Sequence, residues 1–286
     1  MLLGYFKQRG LRFMKYSILM SIYSQENVNY FIQSMESILK QTVPASEIII
    51  VKDGPLTSEL ENAINKYKES DPRLFSIITL KENVGLGLAL NEGLKACKNE
   101  LVARMDTDDI SLPNRCEKQL KTFKNNPELS IVGSHTDEFF DNPSEIVSSR
   151  VVPSEHNEIF KFSKTRNPFN HPSVMYKKDH VLQSGGYKDL RRNQDYELFV
   201  RMLNKGYKGF NIDESLLLFR ANEENLKRRK TWNKTKGDIS IRYNFWKEGY
   251  IGFKDYFIST IAFLTAFLSP NWLFQKISSN ILRKRK

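Results

Sequence analysis

The chain has 286 residues, with 44 Lys and Arg against 33 Asp and Glu, a formal net charge of +11. Its 40% apolar and 12% aromatic content is enough for a real core and excludes global disorder. Two cysteines, Cys97 and Cys116, exclude a disulfide-stapled scaffold and a four-cysteine zinc ribbon, and no run reaches the ~18 uninterrupted apolar residues of a membrane-spanning helix.

In chain order, MLLGYFKQRGLRF has apolar ends around a basic middle and no small-residue cleavage site, so it does not fit a signal peptide. Met14 stands before KYSILMSIYS as an alternative start, and 1–14 is expected to be an N-terminal extension. YSILMSI at 16–22 reads as a buried strand. Asn27 is placed to cap a helix to about residue 40, with Phe31, Met35, Ile38 and Leu39 on its apolar face. The β-branched run EIIIV at 47–51 is a second strand, closed by the turn Lys52-Asp53-Gly54-Pro55. A helix over 57–70 and a strand over 74–79 follow. Asn83-Val84-Gly85-Leu86-Gly87 then leads into a helix through Ala96. A strand over 101–104 ends at Met105-Asp106-Thr107-Asp108-Asp109, Pro113 starts a helix, and 129–133 is a fifth strand.

This alternation predicts an α/β open sheet with parallel strands and helices on both faces. After residue 134 the rhythm stops. We expect an extended excursion or hairpin over 135–175 with a short helix near 155–162, then a helix over 195–203, a strand over 215–220 and a long polar helix over 222–248. No Gly- or Ser-rich linker separates two domains, so the expectation is one catalytic domain, 15–221, and a C-terminal helical region, 222–286.

Open α/β sheets bind ligands at the carboxyl ends of their strands, where Ser21, Tyr23, Asp53 and the acidic cluster fall. Asp106, Asp108 and Asp109 repel one another unless something offsets their charge. A hard divalent cation such as Mg²⁺ or Mn²⁺ does so; the alternative is a solvated turn in which Asp109 or Ser111 caps the next helix. Asp53 can accept hydrogen bonds from a base or ribose, or simply close an Asp-Gly turn. Asn83 and Gly85 allow close backbone approach to a ligand. A P-loop and a Gly-x-Gly-x-x-Gly dinucleotide fingerprint are absent. His171, between two prolines, can contact acceptor, diphosphate or metal, or serve only loop hydrogen bonding. Asp195 can cap the helix it opens. Cys97 and Cys116 are expected to be buried, inert thiols.

The charge excess is concentrated: residues 1–220 hold 30 basic and 28 acidic side chains, whereas 221–286 hold 14 and 5. No nucleic-acid-binding motif accompanies it. The basic residues alternate instead with Phe253, Tyr256, Phe257, Phe263, Phe267, Trp272 and Phe274, and end in Arg283-Lys284-Arg285-Lys286. That mixture fits an anionic membrane surface; the alternative is a helical hairpin packed on the body. The apolar run 256–268 is too short to span a bilayer, and Pro270 follows it.

Over about residues 16–229 the chain resembles family 2 glycosyltransferases of the GT-A fold, most of all the bacterial capsular and exopolysaccharide type of amylovoran biosynthesis. The resemblance is carried by SILMSIY at 17–23, SILKQT at 37–42, EIIIVKDG at 47–54, NVGLGLALN at 83–91, ARMDTDDISLP at 103–113, His171-Pro172 and DYEL at 195–198. It implies a Rossmann-like open mixed sheet with helices on both faces and a C-terminal helical appendage. It also implies inverting, metal-dependent transfer of one sugar from a nucleotide-diphosphate donor, with UDP favoured as the commonest nucleotide of the family.

By that resemblance Ser21, Tyr23, Asp53, Asn83, Gly85, Arg104 and Asp106 belong to the donor-binding set. Asp108 would bind the divalent cation, Mn²⁺ or Mg²⁺, and Asp195 would be the catalytic base. The family usually has an acidic residue before the base; here it is Gln194. Arg220, Arg228 and Arg229, with His171, are candidates for the diphosphate or acceptor. The processive Gln-x-x-Arg-Trp motif is missing, which argues for adding a single sugar. The expected acceptor is an oligosaccharide or lipid-linked glycan of cell-surface polysaccharide biosynthesis, and the expected location is peripheral, on the cytoplasmic face of the membrane. A silent membrane-associated scaffold of the same fold and a nucleotidyltransferase are the alternatives.

Overall fold

The computed structural model describes residues 14–221 and 231–269. The elements run β1 (Tyr16–Ile22), α1 (Val28–Leu39), β2 (Glu47–Lys52), α2 (Ser58–Ser70), β3 (Phe75–Thr79), α3 (Leu86–Ala96), β4 (Leu101–Arg104), β5 (Ile110–Ser111), α4 (Arg115–Asn125) and β6 (Leu129–Phe139). There follow β7 (Ser148–Arg150), α5 (His156–Ser163), a 3₁₀ turn (His171–Ser173), β8 (Met175–Lys177), α6 (Lys178–Gln183), α7 (Gln194–Asn204), β9 (Lys208–Arg220), α8 (Trp232–Lys247) and α9 (Phe253–Leu268).

The strands form one sheet in the order β3-β2-β1-β4-β8-β6-β9-β5, with β7 beside β6. β1 pairs in parallel with β2 and β4, and β2 with β3, which makes the predicted half. The other half makes the sheet mixed, as the resemblance implies: β8 runs antiparallel between β4 and β6, and β5 antiparallel to β9. The rhythm of the first 133 residues carried no information on β8, and the two-residue β5 is too short to show in it. β6 and β9 are also longer than expected, because each pairs with the other over most of its length.

Period-two alternation feeds two cores. Ile18, Met20, Ile48 and Ile50 face α1, α2 and α4 through Phe31, Met35, Leu60 and Leu120. Leu19, Ile49, Val51 and Val102 face the opposite layer, with Leu90, Leu94, Leu198 and Phe199. An added methyl at Gly93 would stand 2.2 Å from Leu19 Cδ1, so only glycine lets α3 lie this close to β1. α1 starts as expected, with Asn27 Oδ1 accepting from the amides of Asn29 (2.9 Å) and Tyr30 (3.3 Å). Leu39, however, is 44% exposed, and Ser34 and Ser37 are buried in its place.

The residue before α4 is Asn114, so neither Asp109 nor Ser111 is a cap; both are buried. α4 joins the sheet halves through buried polar bonds. Arg115 donates to the carbonyl of Arg104 (2.7 Å), and Gln119 to those of Val132 (2.9 Å) and Ser173 (2.7 Å). Both cysteines are buried free thiols whose pKa burial raises.

α8 packs on α7 through a third apolar group, Tyr196, Val200, Ile241, Phe245 and Ile251. α9 pairs with α8 and leaves Phe253, Phe257, Ile258, Ile261 and Leu268 exposed. Among the described residues no helix is long and apolar enough to cross a membrane. The expected extension over 1–13, the helix start over 222–230, and Trp272, Phe274 and the basic end 283–286 lie outside the described residues.

Candidate active site

The carboxyl ends of β1, β2 and β4 meet at one edge. Asp53, at the end of β2, is buried and its carboxylate clamps the loop before α3: Oδ1 accepts from the amide of Val84 (2.7 Å) and Oδ2 from that of Gly85 (3.0 Å). Asn83 donates to the carbonyl of Asp53 (3.3 Å) and accepts from Arg191 (3.2 Å). Gly54 has φ +89, and a methyl there would lie 2.8 Å from the Asn83 amide, so the Asp-Gly turn and the Asn-Val-Gly turn are fitted backbone to backbone. Asp53 thus fixes the loop before α3 with both oxygens, each of which keeps acceptor capacity. Ser21 is half-buried and Tyr23 is exposed at the neighbouring end of β1.

Asp106, Asp108 and Asp109 follow β4, with one carboxylate oxygen from each within 4.8 Å of the others. Arg104, fully buried, forms an ion pair with Asp106 through Nη2, while its Nε and Nη1 have no hydrogen-bond partner. Arg220 at the end of β9 braces the cluster from outside. Its amide donates to Asp109 Oδ1 (2.9 Å) and its Nε to the Asp108 carbonyl (2.9 Å), and its Nη2 donates to Gln33 (2.6 Å). The guanidinium lies between Tyr30, 3.9 Å from the ring centre, and Phe139, at 4.6 Å. It is therefore seated among protein groups, and its charge opposes the rise of the Asp108 pKa.

Two cations do not neutralise this edge. Burial and then Asp106 push Asp108 up to about 6, and burial and then Asp108 raise Asp109 well above the ordinary carboxylate range. Asp109 Oδ2 is fully buried and unpartnered. A fourth carboxylate adds to the field: Glu26, in the loop after β1, is pushed up to about 7 by burial, then by Asp108 and Asp106. Sequence reading passed over Glu26, which sits in a polar run before a helix cap and gives no sign that the β1–α1 loop folds toward the Asp cluster. This uncompensated charge on hard oxygen donors fits a divalent cation.

Asp195 is the second residue of α7; the cap position belongs to Asn193, so the capping alternative does not hold. Its Oδ2 accepts from Asn167 Nδ2 at 2.6 Å. Burial raises its pKa, opposed by the amide of Tyr196 and by the charges of Arg150 and Arg104. Gln194, the departure from the family pattern, is buried against Gly87, whose added methyl would stand 3.2 Å from Gln194 Cγ.

His171 is buried and its Nε2 bonds the Tyr187 hydroxyl at 2.9 Å. Burial and then Arg104 push its pKa well below the usual value, so it is a neutral partner of Tyr187. Tyr187 is clamped by Asn91 on both sides of its peptide unit (2.8 and 2.7 Å) and feels the charges of Arg104, Asp195 and Asp106. Arg104 thus lies within electrostatic reach of both Asp195 and Asp109. The structure brings Asp106, Asp108 and Arg104 together and engages His171 and Arg220 with protein partners; Arg228 and Arg229 lie outside the described residues.

The model of the family described as glycosyl transferase family 2 matches residues 17–185. The chain is 36% identical over 272 residues to the UDP-Gal:alpha-D-GlcNAc-diphosphoundecaprenol beta-1,3-galactosyltransferase of Escherichia coli, covering 94% of this chain and 97% of that protein. It is 35% identical over 226 residues to the amylovoran biosynthesis glycosyltransferase AmsE of Erwinia amylovora, covering 79% and 84%. Among solved structures it superposes on the mannosyltransferase PcManGT of Pyrobaculum calidifontis, in complex with GDP-Man and Mn²⁺, with TM-score 0.64 and 14% identity, over 93% of this chain and 73% of that one. It also superposes on S. aureus TarS with TM-score 0.59 and 16% identity, over 94% of this chain and 46% of that longer one.

Proposed function

The chain belongs to glycosyltransferase family 2, and from that premise we propose that it is an inverting, metal-dependent enzyme that moves one sugar from a UDP-sugar to a lipid-linked glycan acceptor in bacterial cell-surface polysaccharide biosynthesis. The observation that carries this reading is a clamped loop and a carboxylate cluster at one sheet edge, with the charge of Arg104 acting both on that cluster and on the half-buried carboxylate of Asp195 at a helix start. The UDP donor and the diphosphoundecaprenol-type acceptor are supported by the activity for which the E. coli relative is named.

In this reading Tyr23, Asp53, Asn83 and Gly85 hold the base and ribose, with Ser21 beside them. Asp106 and Arg104 orient the ribose and sugar side of the donor. Asp108, with Asp106, would hold Mn²⁺ or Mg²⁺, which when bound neutralises the diphosphate as it leaves. Asp195 takes the proton of the acceptor hydroxyl as that oxygen attacks the anomeric carbon. The bond to the diphosphate breaks on the opposite face, the nucleoside diphosphate departs, and the anomeric configuration inverts. The raised pKa of Asp195 makes it a better proton acceptor than a solvated aspartate, and Asn167 holds the carboxylate that must ionise.

Residues 15–221 form the catalytic domain in this proposal, and 222–286 the membrane-facing region. The apolar face of α9 and the basic composition after residue 221 support peripheral contact with the anionic cytoplasmic face of the membrane. The experiment is transfer from UDP-hexose or UDP-N-acetylhexosamine to a GlcNAc-diphosphate-lipid analogue with Mn²⁺, with the product's anomeric configuration read by NMR. Product of inverted configuration with release of UDP is expected. Product of retained configuration, or release of pyrophosphate, would contradict the mechanism.

A further inference from the structure

One helix outside the family match touches both walls around Asp195. The first wall is residues 193–196. Asn193 has φ +60, the one positive φ outside glycine among the described residues, and it makes no cap bond to its own helix. Its side chain instead donates to Asp238 Oδ1 on α8 at 2.8 Å. The second wall is residues 163–167, which ends in Asn167, the donor to Asp195. Arg242, one turn after Asp238 on α8, is buried and donates to the Thr165 carbonyl at 2.7 Å. The same guanidinium lies 5.0 Å from the ring centre of Tyr196, the residue following Asp195, and donates to the Asp238 carbonyl at 2.9 Å. Tyr196 closes the ring of contacts by donating to the Ser163 carbonyl (2.8 Å) and packing edge-on to Phe245 of α8.

We infer that α8 is part of the catalytic apparatus, with Asp238 and Arg242 as positioning residues that fix the backbone before Asp195 and the strand of chain that presents Asn167 to it. This rests on the proposed role of Asp195. Among the described residues neither contacts the Asp106–Asp109 cluster, so their effect falls on proton removal from the acceptor and leaves donor binding alone. An asparagine accepts the αL conformation at modest cost. That conformation, with the side chain bonded to a partner 45 residues away, fits a positional constraint on the next two residues. Arg242 also lies 4.3 Å from the ring centre of Phe263 on α9, so the hairpin's outer helix backs the same guanidinium.

The test is steady-state kinetics of the full chain with Asp238→Ala, Asp238→Asn, Asn193→Gly and Asp195→Asn, each with a pH profile of kcat, a UDP affinity and a melting curve. Asn193→Gly keeps the backbone conformation and removes the link, so it reports even where Asp238→Ala folds poorly. We expect Asp238→Ala and Asn193→Gly to lower kcat by on the order of 10-fold, as misplacement of a reacting group does. The acid limb of their pH profiles should shift, and UDP affinity should stay within two-fold. Asp238→Asn, which still presents an acceptor to Asn193, should recover most of the rate. Unchanged kcat and pH profile in Asn193→Gly, alongside an inactive Asp195→Asn, would overturn the positioning role and leave the base assignment standing. An active Asp195→Asn would overturn the base assignment and this inference together.

Discussion

At the donor edge, the central anchoring contacts are made by groups that the α/β rhythm itself brings together, with Arg191 and Arg220 added from later segments. The carboxylate of Asp53 at the end of β2 takes the amides of the next loop but one, and Arg104 pairs with Asp106 two residues on. At the base, the rhythm contributes nothing. Asp195 is held by Asn167 from an irregular segment, and both of their segments are held by side chains of α8. The first region is a property of the sheet and survives on backbone geometry. The second is an assembly of side chains from distant segments, so donor binding and proton transfer should be separable by substitution.

The largest expected separation comes from Asp195→Asn. Loss of a positioned general base should cost ~10²- to 10⁴-fold in kcat while the donor KM changes little. A parallel fall in UDP affinity would break the comparison. Next is Asp108→Ala. Wild-type protein with UDP and Mn²⁺ at ~100 Kd should gain about 2.7 kcal/mol of stability, and this variant should gain none of it in a thermal melt.

The carboxylates of the donor edge predict a pH effect of definite sign. Asp108 and Glu26 have folded-state pKa values raised to about 6 and about 7, so their bound protons favour the folded form. That stabilisation is complete below the ordinary carboxylate range and is lost as pH rises through 6 and 7. The metal-free protein should therefore melt lower at pH 8 than at pH 5 by this contribution, and Mn²⁺ should raise the melting temperature more at pH 8. Equal Mn²⁺ shifts at both values would contradict the charge account of the cluster.

Asn167→Ala sharpens the other region. Removing a donor to an ionised carboxylate raises its pKa further. The acid limb of kcat should move to higher pH, with UDP binding unaltered. The smallest effect is expected at the surface: replacing Phe253 and Phe257 by Ser should reduce sedimentation with anionic vesicles and leave soluble-acceptor kinetics within two-fold.

The same division decides what could be read from the sequence. β1 to β4 and their helices were legible because apolar runs, Asp-Gly and Asn-x-Gly turns and an Asn27 cap are local signals. The Asp106–Asp109 cluster was legible as repelling charge at a strand end. The antiparallel insertion of β8 was not, since a three-residue strand has no period to detect. Nor was the seat of Arg220, whose aromatic neighbours Tyr30 and Phe139 come from elements far apart in the chain. Glu26 needed the path of the β1–α1 loop. Asn167, Asp238 and Arg242 look in sequence like ordinary polar residues of a loop and a solvated helix, and only tertiary packing gives them a common partner.

The account stands or falls on the independence of the two regions, and titration calorimetry of UDP with Mn²⁺ against Asp195→Asn and Asp108→Ala tests it most directly. The predicted result is wild-type affinity in Asp195→Asn and lost affinity in Asp108→Ala. Equal weakening in both variants would contradict it.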